Sequence, residues 1–196
     1  MKERRLILAG MLLAAVVFLA GCGRPAPDEA AVPEAALADL ERIDGRLHLR
    51  GADGPFTGFM VETYPDGALK SRSELVDGVL HGVSEGWYPD GTPQVREEFV
   101  DGVSHGVRSR WHADGQIQSE AEIVMGQLHG TFRRWHPNGV LAEQTEMSEG
   151  EPNGISLAFF PSGHPRARVL LKQGEVVSRQ FWEDGEIREK PPLEGT

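Results

Sequence analysis

Seven histidines and a set of turn aspartates are the groups in this 196-residue chain suited to acid–base or metal chemistry. His81, His105 and His129 recur every 24 residues, and His112 and His136 share a second such position. Imidazole is a good zinc ligand. Equivalent residues of adjacent two-stranded units, however, lie about two strand spacings apart, ~9–10 Å. That is too far for two side chains to close easily on one ion, so each histidine is expected to bond to neighbouring backbone or to stand plainly at the surface. Asp66, Asp90, Asp114 and Asp184 each stand immediately before a glycine. There a carboxylate caps a turn rather than serving as a general acid or base. No HExxH, CxxC or phosphate-binding loop occurs. The expectation is no catalytic residue, no metal and no cofactor.

Two other sets point to binding. Trp87, Trp111 and Trp135 recur in register and Phe159 continues the row. Such a row either forms a buried spine between strands or lines a groove for a peptide, a glycan or a lipid. Arg108, Arg110, Arg133 and Arg134 form a local basic patch in a chain of net charge −10. They are the place to look for an acidic partner. Nucleic acid is an unsuitable ligand for so acidic a chain, because neutralising its backbone needs an excess of Lys and Arg.

The elements that position these residues are legible from glycine. Gly54, Gly78, Gly102, Gly126, Gly150 and Gly174 form one series, and Gly58, Gly82, Gly106, Gly130 and Gly154 a second. Gly67, Gly91, Gly115, Gly139 and Gly163 form a third, with every interval 24 residues. A fixed period of this size means one supersecondary unit stacked on itself. The third series closes the turns Tyr64-Pro-Asp-Gly67, Tyr88-Pro-Asp-Gly91, His112-Ala-Asp-Gly115, His136-Pro-Asn-Gly139 and Phe160-Pro-Ser-Gly163. A shorter sixth copy ends at Gly185. Proline presets φ and glycine takes the left-handed position, so each is a hairpin turn.

Alternation on either side predicts two strands per unit, for example 58–64 and 68–76. In the second strand the apolar residues stand two and eight places after the turn glycine: Leu69/Leu75, Pro93/Phe99, Ile117/Ile123, Leu141/Met147 and Pro165/Leu171. Their even separation predicts one shared face, with Lys70, Arg72, Glu74, Glu98 and Glu122 on the wet one. Pro93 and Pro165 fit only at the first residue of a strand or with the nitrogen turned outward. The predicted fold class is all-β: an elongated single-layer antiparallel sheet of about six stacked 24-residue β-hairpin repeats.

The segment Gly78-x-x-His81-Gly82-x-x-x-x-Trp87-Tyr88-Pro89-Asp90-Gly91 resembles the bacterial variant of the MORN repeat. It recurs with His105, Gly106 and Trp111, and with His129, Gly130 and Trp135. Such repeats occur in the YwqK-like antitoxin family. The resemblance spans about residues 46–188 and implies a repeated hairpin architecture and an antitoxin or immunity-type role against a toxin. Thr57 and Asn153 replace the histidine in the first and fifth units, and Ser178 stands where the sixth would have glycine.

The N-terminus carries Lys2, Arg4 and Arg5, then an uncharged run from Leu6 to Ala20. That run is shorter than the ~20 residues that span a bilayer and has the flank of a secretory signal. Leu19-Ala20-Gly21-Cys22 resembles the bacterial lipobox, and Cys22 is the chain's one cysteine. The resemblance implies cleavage after residue 21 and a lipid anchor on Cys22. It also implies the periplasmic face of the outer membrane, since Gly23 rather than aspartate follows. Removing residues 1–21 leaves a 175-residue chain of net charge −12 with no possible internal disulfide. The predicted organisation is a signal peptide over 1–21 and a lipidated tether over 22–34. A short helix, or more tether, follows over 35–45, then the repeat domain over 46–188 and a tail over 189–196. The expected function is a membrane-anchored, non-catalytic interaction or scaffold module with an unidentified protein partner. A toxin-neutralising protein and a cell-wall glycan binder are the alternatives.

Overall fold

The computed structural model describes residues 32–185. Cys22, the signal segment 1–21, most of the tether and the tail 189–196 lie outside the described residues. The chain is all-β, with no α-helix among the described residues. It opens with β1 (Glu34–Ala36), a 3₁₀ turn (Leu37–Asp39), β2 (Leu40–Ile43) and β3 (Arg46–Leu49). The repeats follow as β4 (Gly58–Thr63), β5 (Leu69–Val76), β6 (Val79–Trp87), β7 (Pro93–Val100), β8 (Val103–Ser104) and β9 (Gly106–Trp111). Then come β10 (Ile117–Val124), β11 (Gln127–Trp135), β12 (Leu141–Ser148), β13 (Glu151–Phe159), β14 (Pro165–Lys172) and β15 (Glu175–Phe181). From β4 to β15 each strand pairs with its sequence neighbour in one open antiparallel sheet, apart from the short β8, which lies beside β7. The sheet is mixed because β1 adds to β4 in parallel.

Two turn types alternate along the sheet, one at each end of the strands. In the first, Pro65-Asp66-Gly67 links β4 to β5. The Tyr64 amide donates to the Ala68 carbonyl (2.8 Å) and the Gly67 amide to that of Tyr64 (2.9 Å). Gly67 stands at φ +88°, the left-handed closing position of a three-residue hairpin loop. Asp66, Asp90 and Asp114 accept from the backbone amide two residues on, at 2.9–3.0 Å. The capping role read from sequence is therefore what these side chains do. In the second type, Asp77 and Gly78 both have positive φ (48° and 75°), as a two-residue hairpin turn requires. Pro93 and Pro165 are the first residues of β7 and β14, where no ladder bond is lost.

Two expectations are corrected. The segment 35–45 is not a helix: Ala35 joins β1, and β2 and β3 form a separate two-stranded hairpin around Asp44-Gly45. Local helix propensity is a weak prior, and strand pairing overrides it here. This hairpin caps the first repeat, where Ala35, Leu40, Phe56 and Leu75 form a buried cluster with Leu47, Met60 and Leu80 against it.

The second correction concerns faces. Beside each turn of the first type the second strand carries one extra residue. Glu62 pairs with Ser71 but Thr63 with Leu69, and Trp111 pairs with Ile117 while Arg110 pairs with Ser119. This β-bulge inverts the alternation. The residue two places after the turn glycine therefore lies on the opposite face from the residue eight places after. The second of these forms an aliphatic row, in which Leu75 is 1% and Ile123 3% exposed. The first lies opposite the aromatic of the same hairpin: Trp87–Pro93, Trp111–Ile117, Trp135–Leu141 and Phe159–Pro165. Each face of the single layer thus has its own apolar row, at opposite ends of the strands.

Candidate functional site

The residues singled out by sequence are placed by that alternation. Along β11, Phe132 and Arg134 point to one face, while Thr131, Arg133 and Trp135 point to the other. Along β9, Arg108 and Arg110 oppose Trp111 in the same way. The tryptophan row and the Arg108–Arg110–Arg134 group therefore occupy opposite faces of the sheet and do not form one surface. Arg133 belongs with the tryptophans, where its Nε donates to Gln144 Oε1 (3.2 Å). Trp87, Trp111 and Trp135 are half-buried, and Phe159 is 3% exposed.

The aromatic row is held from repeat to repeat by a rung that sequence reading did not reveal. Tyr64 Oη donates to the Trp87 carbonyl (2.7 Å) and Tyr88 Oη to the Trp111 carbonyl (3.0 Å). His136 Nε2 bonds to the Phe159 carbonyl at 2.9 Å. At three of the turns the residue three places before the glycine thus reaches the backbone 23 residues on. His112 occupies this position too, and its buried Nε2 has no partner among the described residues.

The other histidine position is explained by the opposite end of the strands. Thr57 Oγ1 accepts from the Asp77 amide (3.0 Å) and Asn153 Oδ1 from the Gln173 amide (3.2 Å). His81 Nδ1 lies 3.5 Å from the Asp101 amide. Threonine, histidine and asparagine share one property, a side-chain acceptor aimed at the next turn. Among the described residues no three His, Cys, Asp or Glu side chains come together as a metal site.

The middle of the aliphatic face changes from one repeat to the next while its backbone stays constant. Ser73 pairs with Ser84 through hydroxyls 2.7 Å apart, and Thr145 with Ser156 likewise. Between them Glu97 meets Arg108 (3.4 Å) and, further along, Arg134 meets Glu143 (2.9 Å). Arg108, Arg110 and Arg134, with Ser119, Ala121 and Phe132, line an open depression of about 280 Å³. Ser119, Ala121 and Phe132 were not singled out from sequence. Their parity on β10 and β11 relative to the arginines was the available signal.

The electrostatics of the turns are local. The Thr92 amide and hydroxyl hold the Asp90 carboxyl below its ordinary range. Ser162, and after it His164, does the same for Asp184. Lys70 is raised by its bond to Glu62 (2.7 Å). These groups are exposed, so the shifts describe turn contacts and a surface ion pair rather than a reactive centre.

No curated protein matches the chain. Three adjacent stretches of it, residues 80–101, 104–124 and 128–148, match the MORN repeat variant family, and they coincide with the second, third and fourth hairpins built above.

Proposed function

We propose that the protein is a non-catalytic interaction module, held by a lipid on Cys22 at the periplasmic face of the outer membrane, whose sheet docks a partner protein. The observation that carries the interaction reading is the constant backbone frame of β4–β15 bearing a centre that changes from one repeat to the next: hydroxyl pair, ion pair, arginine–phenylalanine group, hydroxyl pair. A frame that repeats while its face does not is suited to recognition rather than turnover. MORN repeats are generally modules for protein or lipid interaction, which agrees. The anchoring half of the reading rests on the basic start, the uncharged run and the Leu19–Cys22 motif. Two or more acyl chains make such attachment stable.

The test expresses tagged full-length protein and its Cys22→Ser variant in a Gram-negative host, fractionates the membranes, and identifies proteins crosslinked to the wild type. The expected result is lipidated wild type in the outer membrane, an unlipidated variant, and one specific co-purifying protein. Equal, soluble behaviour of the two forms refutes the anchor. Anchored protein with no crosslinked partner refutes the interaction module and leaves glycan binding by the half-buried tryptophans. A co-purifying toxin assigns the antitoxin role.

A further inference from the structure

Resting on the interaction reading above, we propose that the depression around β10 binds an extended acidic segment of the partner, with carboxylates at alternate residues. β10 supplies a floor of small side chains. Ser119 lies opposite Arg110 on one neighbour and opposite Arg134 on the other, and Ala121 lies opposite Arg108. Cross-strand partners share a face, so guanidinium groups stand along both walls of a trough whose floor is short. Phe132 adds one apolar contact.

The spacing selects the ligand. Arg108 and Arg110 are two residues apart on one strand face, about 6.6–6.8 Å, and carboxylates at alternate positions of an extended chain repeat at that same interval. Guanidinium meets carboxylate through paired, charge-assisted hydrogen bonds. Arg110 is exposed and has no ion pair among the described residues, whereas Arg108 and Arg134 are held in place by Glu97 and Glu143. Those two glutamates stand outside the trough on either side, so negative charge is welcome along β10 and repelled beyond it. The group also occurs once on a repeating frame. The residues equivalent to Arg108 and Arg110 are Ser84 and Gly86 in the preceding repeat, and Ser156 and Ala158 two repeats on. A point anion such as phosphate would need the three groups to converge, and here they are spread along and across strands.

The experiment measures fluorescence anisotropy of a labelled octapeptide of alternating glutamate and threonine, and of its glutamine counterpart, against the purified protein at low salt. The glutamate peptide should bind and the glutamine peptide should not. Arg110→Gln and Arg134→Gln should each weaken binding about tenfold, while Arg168→Gln, on the opposite face, should leave it unchanged. Added salt should weaken it further. Equal binding of the two peptides, or unchanged binding by Arg110→Gln and Arg134→Gln, overturns the proposal. Displacement by inorganic phosphate at concentrations where acetate has no effect also overturns it, in favour of a phosphate group. The crosslinking experiment separates the two levels: a partner captured equally by wild type and by Arg110→Gln/Arg134→Gln sinks this inference and leaves the interaction module standing.

Discussion

Gly78 and Gly102 occupy the same place in successive repeats, with nearly the same φ (+75° and +80°), yet replacing them with alanine should have very different effects. A side chain at Gly102 meets nothing closer than Val79 Cβ at 4.0 Å. At Gly78 it would stand 2.6 Å from the Leu47 carbonyl oxygen, 2.7 Å from the Leu47 nitrogen and 2.9 Å from Arg46 Cβ. These are backbone and near-backbone atoms of β3, which cannot swing aside. Gly102→Ala should therefore cost only the left-handed backbone penalty, about 1–2 kcal/mol. Gly78→Ala adds overpacking of ~1–3 kcal/mol and strains the Leu47 N–H to Gly78 carbonyl bond (2.8 Å), worth ~0.5–1.5 kcal/mol. The total is about 3–6 kcal/mol. Urea unfolding followed by tryptophan fluorescence measures both variants. Amide exchange at Leu47 and Phe56, whose N–H groups bond to Gly78 and Leu47, reports whether the β2–β3 cap has lifted. Losses equal within ~0.5 kcal/mol, with both amides still protected in Gly78→Ala, would refute the close approach.

Four further outcomes are expected. Tyr88→Phe removes the rung to the Trp111 carbonyl and should cost about 1 kcal/mol in urea unfolding. His112→Tyr should stabilise by a comparable ~0.5–1.5 kcal/mol, because a tyrosine there can reach the Trp135 carbonyl as Tyr64 and Tyr88 reach theirs. Leu75→Ala should cost ~2–5 kcal/mol, and Leu69→Ala, at a site 38% exposed, clearly less in the same assay. The depressed Asp90 and Asp184 carboxyls contribute stability that is fully present above their ordinary value of 3.8 and lost as pH falls through the lower folded values. Thermal melting across that acid range should show Asp90→Asn with a flatter pH dependence than wild type.

Much of the architecture was legible because it is written in glycine. A residue required at positive φ leaves a mark that does not depend on its neighbours, so both turn series and the strands between them could be placed by counting. The bulge could not be counted: parity arguments assume one residue per step, and the extra residue near Lys70 or Gln118 leaves no mark of its own in the sequence. Its effect is visible only in hindsight, in the apolar residue that fills each gap between successive aromatics. The N-terminal hairpin was missed for a different reason. Asp44-Gly45 is the same turn pair as Asp77-Gly78 and Asp101-Gly102, but the apolar spacing of Leu37, Leu40 and Ile43 reads as a helix when taken alone. At the candidate site, adjacency along the chain grouped Arg133 with Arg134, although consecutive residues of a strand cannot share a face. Of the repeated histidines, His136 and His81 meet backbone as expected, whereas His112 meets the Gln118 side chain. Why threonine and asparagine replace them became clear only when all three were seen to aim at the same amide.

From β4 onward the bonds between hairpins reach no further than the next hairpin, so the chain is loaded in series when its ends are pulled. A force on the two ends opens one strand pair at a time, starting from the outer strands, while the interior stays folded. Each hairpin that lets go releases about 24 residues of slack, roughly 80 Å at full extension. Tension applied to the two ends of the sheet is thus relieved in discrete steps, and the central arginine trough is among the last parts to feel it.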